Sequence, residues 1–436
     1  MTTPSLKEAF LYWLKLGFTS FGGPAGQIAL MHQDLVHDKK WISEDRFLHA
    51  LNFCILLPGP EAQQLAIYMG WLLHKTLGGL IAGLLFILPA FFMLCGLAYV
   101  YMRYGELAAI QGFFAGVKPA IVALVLFAAY RMGYKTLKNQ WLIGIAACAF
   151  MSILFLNTAF PLILIMAGLI GMFADRFFSA SYQRGLKNNK TPAEKASESS
   201  SNNQNHTQAT WAQSLKTLLI GSAVIIGSLS AMIFAFGLDH FLVKTAWFYT
   251  KAAFLTFGGA YAVLPYVFQG AVDHYHWLTS QQMIDALALG ESTPGPLIMV
   301  ITFISFVSGW THIALPTLSP LHSGLMVAFI ATLFTFLPSF LMIFLGAPVI
   351  EHTRNQSKLF APLTAITAAV VGLILNLGIM LANHTLWQTE VWEIHWMSVT
   401  IAVIAFIALQ RYQVNTLLVI LVSGLLGVAS TSSLLT

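Results

Sequence analysis

The stretch Phe18-Thr-Ser-Phe-Gly-Gly23 returns as Phe254-Leu-Thr-Phe-Gly-Gly259, 236 residues downstream. At the same spacing Lys15 meets Lys251, Gln33 meets Gln269 and Trp41 meets Trp277. Pro58-Gly59-Pro60 then meets Pro294-Gly295-Pro296 without a gap. Leu88-Pro89 matches Leu337-Pro338 at a spacing of 249, which places an insertion near Thr311–Ser323. Apolar helices share Leu and Ala by chance. They do not align Lys, Trp, Gly-Gly and Pro-Gly-Pro in one register, so the chain is read as an internal repeat.

The composition says what surrounds that repeat. Of 436 residues, 57% are hydrophobic and 9% charged, against about 25% charged in ordinary globular proteins. Mean hydropathy is +0.74. Water cannot solvate most of such a surface, so lipid must. At ~20 apolar residues per crossing, roughly nine to thirteen membrane segments are expected. This excludes a soluble enzyme, a nucleic-acid binder and a secreted disulfide scaffold; runs of helical length exclude an outer-membrane barrel. The net charge of +5 reads as basic cytoplasmic loops, with no nucleic-acid partner expected. Cys54, Cys95 and Cys148 lie in apolar runs without paired spacing, so neither a disulfide nor a metal site is expected. The start, Met1-Thr-Thr-Pro-Ser-Leu-Lys-Glu, lacks a basic region and a small-residue cleavage site, so no removable signal peptide is expected.

Residues 180–211 are rich in Ser, Asn, Gln and Lys and read as a polar cytoplasmic linker. It separates an N-terminal repeat, 1–179, from a connecting transmembrane segment, 212–239, and a C-terminal repeat, 240–436. The tryptophan loop of the first half carries Lys39, Lys40 and Arg46, whereas its counterpart, Asp273-His-Tyr-His-Trp277, carries no Lys or Arg. The positive-inside rule puts the first loop in the cytoplasm and the second outside. Arg131, Lys135 and Lys138 form another basic cluster, the linker with Arg176, Arg184 and Lys187 a third, and Arg354 with Lys358 a fourth. Ala382–Trp396 has no Lys or Arg and faces outward; Arg103 and Lys244 run against the pattern. The expected fold is an all-α polytopic membrane protein with an inverted-topology repeat and broken or re-entrant helices. Its expected place is the cytoplasmic (inner) membrane, with the N-terminus cytoplasmic. Membrane lipids surround it, and a homodimer stays open as an assembly.

The breaks are where chemistry is expected. Proline lacks a donor and clashes with the preceding turn, and glycine costs roughly 1 kcal/mol in a helix. Phe21-Gly22-Gly23, Pro58-Gly59-Pro60, Phe257-Gly258-Gly259 and Pro294-Gly295-Pro296 therefore each start a new half-helix, although Ala260 replaces the proline that follows the first Gly-Gly. Each start offers unpaired N–H groups and about +0.5 charge, so four sum to roughly +2, a cradle for a divalent oxyanion. Lys15 and Lys251 add charge there or snorkel to the interface. Lys118 is an ionisable group deep in an apolar run, matched by Thr367. Gly-Gly pairs also serve close helix packing. Glu61 and Glu291 are either carboxylates held by a helix end or carriers of a coupled proton. Arg46, His49 and Asp285 flank these segments as vestibule or plain interface residues. No HExxH, GxSxG, Walker or dinucleotide-binding motif is present, so no catalytic residues, no cofactor and no ATP-driven step are expected.

Phe18-Thr-Ser-Phe-Gly-Gly-Pro, Pro58-Gly-Pro-Glu-Ala-Gln-Gln-Leu-Ala, Gly116-Val-Lys-Pro-Ala, Phe254-Leu-Thr-Phe-Gly-Gly and Ser292-Thr-Pro-Gly-Pro together resemble the chromate ion transporter superfamily, in its long two-domain form. The resemblance covers nearly the whole chain apart from the linker. It implies efflux of chromate across the cytoplasmic membrane and resistance to it, with sulfate as an isostere. An inside-negative potential of 100 mV favours expulsion of a dianion by roughly 4.6 kcal/mol. Proton-coupled uptake of sulfate or a related oxyanion is the alternative, and a membrane enzyme acting on anionic lipid is a remoter one.

Overall fold

The computed structural model describes residues 4–156, 158–177, 211–350, 360–388 and 393–433. The linker reading for residues 180–210, with Arg184 and Lys187, lies outside the described residues, as do Arg354 and Lys358. The first repeat contains α1 (Leu6–Thr19), α2 (Gly23–His32) running into a π turn at Gln33–Asp38, α3 (Glu44–Leu56), α4 (Glu61–Tyr104), α5 (Ala108–Thr136), α6 (Gln140–Leu156) and α7 (Phe160–Phe177). Helix α8 (Trp211–Phe236) follows. The second repeat contains α9 (Phe241–Leu255), a 3-10 turn at Ala260–Ala262, α10 (Leu264–Phe268) with a π turn at Gln269–His274, and α11 (Ser280–Ser292). It continues through a 3-10 turn at Leu297–Met299, α12 (Val300–Thr311), α13 (Pro320–Ile350), α14 (Phe360–Leu386), α15 (Trp396–Arg411) and α16 (Thr416–Ser433). The two π turns begin 236 residues apart, as do α3 and α11, so the repeat read in the sequence is repeated structure. Apart from a two-residue strand pair, Trp387–Gln388 with Glu393–Ile394, the described protein is helical. Five described helices are long and apolar enough to cross a membrane. This is a multi-pass membrane protein.

The broken segments turn back on themselves. Helix α1 has 14 residues, about 21 Å at 1.5 Å per residue, too short for a ~30 Å hydrocarbon core. The chain beyond its break runs back alongside α1, because the Trp41 ring lies 5.6 Å from that of Tyr12 in the middle of that helix. The second repeat closes the same way, Trp277 lying 5.5 Å from Phe241. The Pro-Gly-Pro breaks are also hairpin tips: the Phe53 and Tyr68 rings sit 6.0 Å apart, where a straight helical path would separate them by about 22 Å.

Helix α4 hides a further turn. Its 44 residues would reach about 66 Å, twice the membrane core. Backbone angles leave the helix at His74 and Lys75, with Lys75 at φ 54. There the short arm (61–73) folds onto the long arm (76–104): Gly70 lies against Gly78 and Ala82, and Gly83 against Ile67. Small residues let the two arms approach closely. In the second repeat the same fold-back joins α12 to α13, and the insertion expected near Thr311–Ser323 is the loop between them.

The repeats interlock. Helix α5 packs on α14, α15 and α16, while α14 packs on α5, α6 and α7, so each repeat lays its last hairpin on the other. Gly116 on α5 meets the Gly427 backbone on α16, and Gly372 on α14 meets that of Ala146 on α6. Helix α8 stands outside this core, none of its residues from Leu219 to Phe236 being buried.

Candidate functional site

The four breaks are knotted together. The Gly59 N–H donates to the Thr256 carbonyl at 2.7 Å, and the Gly295 N–H donates to the Ser20 carbonyl at 3.0 Å. Gly59 and Gly295 are repeat equivalents, as are Ser20 and Thr256. One bond made in both directions is the mark of a two-fold relation between the copies. The Gln27 amide strengthens the knot by donating to the Ser20 and Gly295 carbonyls, at 3.2 and 2.5 Å.

Glycine is required at these tips. Gly22, Gly23, Gly59, Gly258, Gly259 and Gly295 all have positive φ, between 70° and 130°, a region that costs other residues about 1–2 kcal/mol. The two kinds of break differ in surroundings. A side chain at Gly59 would strike Gln64 and the Ser339 hydroxyl, and one at Gly295 would meet Ala90. Gly23 and Gly259 have no atom within 4 Å of where a Cβ would stand. Pro60, Pro294 and Pro296 are buried with their glycines, whereas Phe21 and Gly258 are exposed and Pro58 and Phe257 half-buried. Each Pro-Gly-Pro is thus a packed elbow, and each Gly-Gly is an open tip. The helical starts at Gly23, Glu61 and Leu297 have no side-chain cap, which leaves their first N–H groups for another acceptor.

The profile described as Chromate transporter matches residues 7–172 and 243–428, both repeats and neither the linker nor α8. The chain belongs to the chromate transporter family. It is 32% identical to a chromate transport protein of Pseudomonas aeruginosa over 426 residues, covering 97% of this chain and 92% of that one. It is 29% identical to a chromate transport protein of Cupriavidus metallidurans over 387 residues, 88% of this chain and 84% of the relative. An uncharacterized transporter of Bacillus subtilis is 35% identical over 133 residues, which is 30% of this chain but 68% of the relative. That smaller protein has the size of one repeat. No solved structure matches the chain. The protein is a transporter and not an enzyme.

Around the tips of this transporter the two repeats differ in chemistry. After its breaks the first repeat places Gln27, Glu61, Gln63 and Gln64; the second has Val263, Leu297, Met299 and Val300 at the equivalent positions. Gln63 is fully buried, and neither its amide nitrogen nor its oxygen has a partner. The Ser20 and Ser339 hydroxyls are likewise buried without partners, while Gln64 donates to the Pro58 carbonyl at 2.7 Å. Leaving a polar group buried and unpaired costs about 1–3 kcal/mol, so each of these groups in an apolar protein asks for a ligand or water. The motif Pro-Glu-Ala-Gln-Gln was visible in the sequence, but only the fold shows that Gln63 turns inward.

The expected lysines have separate fates. Lys118 forms an ion pair with Asp285 across the repeats, Nζ to Oδ1 at 3.4 Å, and Tyr101 donates to the other carboxylate oxygen at 2.9 Å. Asp285 is 4% exposed and Lys118 half-buried, so the pair ties α5 to α11 with the lysine partly open to its surroundings. Its equivalents, Thr367 and His49, cannot form one. Lys251 is half-buried with its ammonium 5.7 Å from the Trp247 ring, and Lys15 is exposed on α1. Glu291 accepts a hydrogen bond from Tyr261, which joins the last turn of α11 to the residues after Gly259. Glu61 opens α4 at the other tip, within the field of Lys135.

Proposed function

We propose that the protein exports chromate across the cytoplasmic membrane, which confers chromate resistance, and that it binds the dianion among the four hairpin tips. The reciprocal Gly59–Thr256 and Gly295–Ser20 hydrogen bonds carry this reading: they join the breaks in two pairs, and the Tyr261–Glu291 bond links the second tip to its own elbow, so the pairs adjoin. The groups gathered there suit a tetrahedral oxyanion. Uncapped helical starts supply N–H donors and a positive end of the dipole, and the Gln63 amide and the Ser20 hydroxyl supply unspent donors. Chromate and sulfate share charge and shape, so sulfate is expected to compete.

The same reading makes the repeats inverted. Hairpins that enter and leave on one side add no crossing. The long arm of α4 with α5, α6 and α7 then gives four crossings, and α8 makes an odd fifth. The second repeat therefore starts from the opposite face, as the loop charges require. In inverted vesicles, chromate accumulation should follow an imposed potential in proportion to the charge moved. Accumulation indifferent to potential would count against export.

A second reading, proton-coupled uptake of sulfate or a related oxyanion, is favoured by Glu61 and the Tyr261–Glu291 pair at the same tips. A protonated carboxyl admits a dianion and an ionised one repels it. Under that reading Glu291→Gln abolishes the pH dependence of flux in proteoliposomes; an unchanged pH profile would remove Glu291 from the coupling.

A further inference from the structure

Helix α5 and helix α15, one from each repeat, enclose an open groove of about 580 Å³. That volume holds roughly nineteen waters at ~30 Å³ each, enough for an anion with much of its hydration shell. Tyr130, Arg131, Tyr134 and Lys135 line it from α5, and Gln410 and Arg411 from α15. Spacings of three and four residues put the α5 set on one helix face, and Gln410 and Arg411 stand three and four residues beyond Ile407, which also lines the groove. Three cations and two phenols thus surround a space large enough for a hydrated oxyanion.

The groove adjoins the hairpin tips. Met132, next to Arg131 on α5, lies where a side chain on Gly258 would stand. The charge of Arg131 reaches Tyr261, the donor to Glu291, and that of Lys135 reaches Glu61. The repeat provides an internal control. In the equivalent pair of helices, α14 and α6, there is no Lys or Arg at all. The duplicated scaffold is therefore basic on one side and uncharged on the other, as the positive-inside rule gives for two inverted copies; what that rule does not give is the gathering of three of the cations around one cavity.

We infer that the α5–α15 groove is an anion-collecting vestibule on one face of the membrane, where Arg131, Lys135 and Arg411 concentrate a tetrahedral dianion and pass it to the Gly258–Gly259 tip. This rests on the proposed site at the tips and adds the side from which the site is loaded. A basic cleft with low-dielectric walls raises the local concentration of a counter-charged substrate and its rate of capture by roughly 10–10³-fold, and salt weakens the effect. The groove acts before the tips, so it governs capture more than turnover.

The test uses the full-length protein in proteoliposomes, with radiolabelled chromate supplied from either face. The double variant Arg131→Gln/Arg411→Gln is expected to raise KM about tenfold at low ionic strength with kcat within twofold of wild type. The rise should shrink toward twofold in 0.5 M salt and appear from one face only. Arg131→Lys/Arg411→Lys, which keeps the charge, should restore KM and so separate charge from folding. A KM equal to wild type from both faces at low salt would overturn the vestibule while leaving export intact. Phosphate groups of anionic lipid share the same chemistry. A defect seen in phosphatidylglycerol vesicles and absent in phosphatidylcholine would assign the groove to lipid and also overturn the proposal. Wild-type protein that moves no chromate from either face would overturn the transport reading itself.

Discussion

The two repeats share their skeleton and differ in what they attach to it. Both fold a Gly-Gly tip and a Pro-Gly-Pro elbow, both continue from the tip into a π turn, and each donates one elbow N–H to the other's tip. Yet the first repeat follows its elbow with Glu61, Gln63 and Gln64, where the second has Leu297, Met299 and Val300. The Lys118–Asp285 pair and the basic α5–α15 groove are also one-sided. Backbone geometry is thus duplicated and side-chain chemistry is not. A transporter built this way can use the two-fold relation to bring half-helices together and the asymmetry to bind and orient its cargo.

The largest expected effect breaks what the repeats have in common. Gly59→Val or Gly295→Val places a β-branched residue at positive φ with no room for its Cβ, and each should abolish chromate flux, with lower yields of folded protein. Gly23→Ala and Gly259→Ala face open space and carry only the backbone cost of ~1–2 kcal/mol, so folded protein should be recovered. If elbow and tip variants fail alike in flux and in detergent-phase melting, the distinction between packed elbow and open tip is wrong.

Next in size is the asymmetry at the elbow. Gln63→Leu should lower chromate flux by ten- to a hundredfold while leaving thermal stability equal or higher, since it removes an unpaired buried amide worth about 1–3 kcal/mol. Met299→Leu, at the equivalent position, should leave flux near wild type. Equal losses in the two variants would say that the site treats both elbows the same.

The ion pair gives a smaller effect, read on stability. Asp285→Asn removes the partner of a half-buried Lys118 ammonium, and breaking such a pair costs about 1–3 kcal/mol, between the exposed and the buried cases. Lys118→Met/Asp285→Leu should recover most of that melting temperature, because the pair is replaced by apolar packing. A double variant no more stable than Asp285→Asn would mean that the pair is not what joins α5 to α11. The smallest effect belongs to the matched lysines. Lys251→Ala should reduce flux modestly, about threefold, and Lys15→Ala less, because only Lys251 is half-buried and held near an aromatic ring. Wild-type flux in both would leave them as interface residues.

Much of this architecture was legible in the residues. Gly-Gly and Pro-Gly-Pro break helices for local reasons, and a duplicated register of Lys, Trp and Pro survives wherever the chain folds. The turn inside α4 has a fainter signal: His74-Lys75-Thr76 interrupts the apolar run with Gly78-Gly79 just beyond, but no proline marks a break there. Nor could spacing show that Lys118 is neutralised by Asp285, a residue 167 positions away, or that Gln63 points inward. The groove was hidden in another way. In the sequence Arg131 and Lys135 mark orientation, and only the contact between α5 and α15, brought together by the interlocked repeats, gives them a shared space.

The central claim is that two oppositely oriented copies meet tip to tip, and equivalent loop positions test it directly. Asp38 and His274 are repeat equivalents, each exposed at the end of its π turn. With the three native cysteines replaced by serine, Asp38→Cys and His274→Cys should react with a membrane-impermeant maleimide from opposite faces. His274→Cys should label in intact cells and Asp38→Cys only in inverted vesicles. Labelling of both from the same face would contradict the inverted arrangement and the shared site that depends on it.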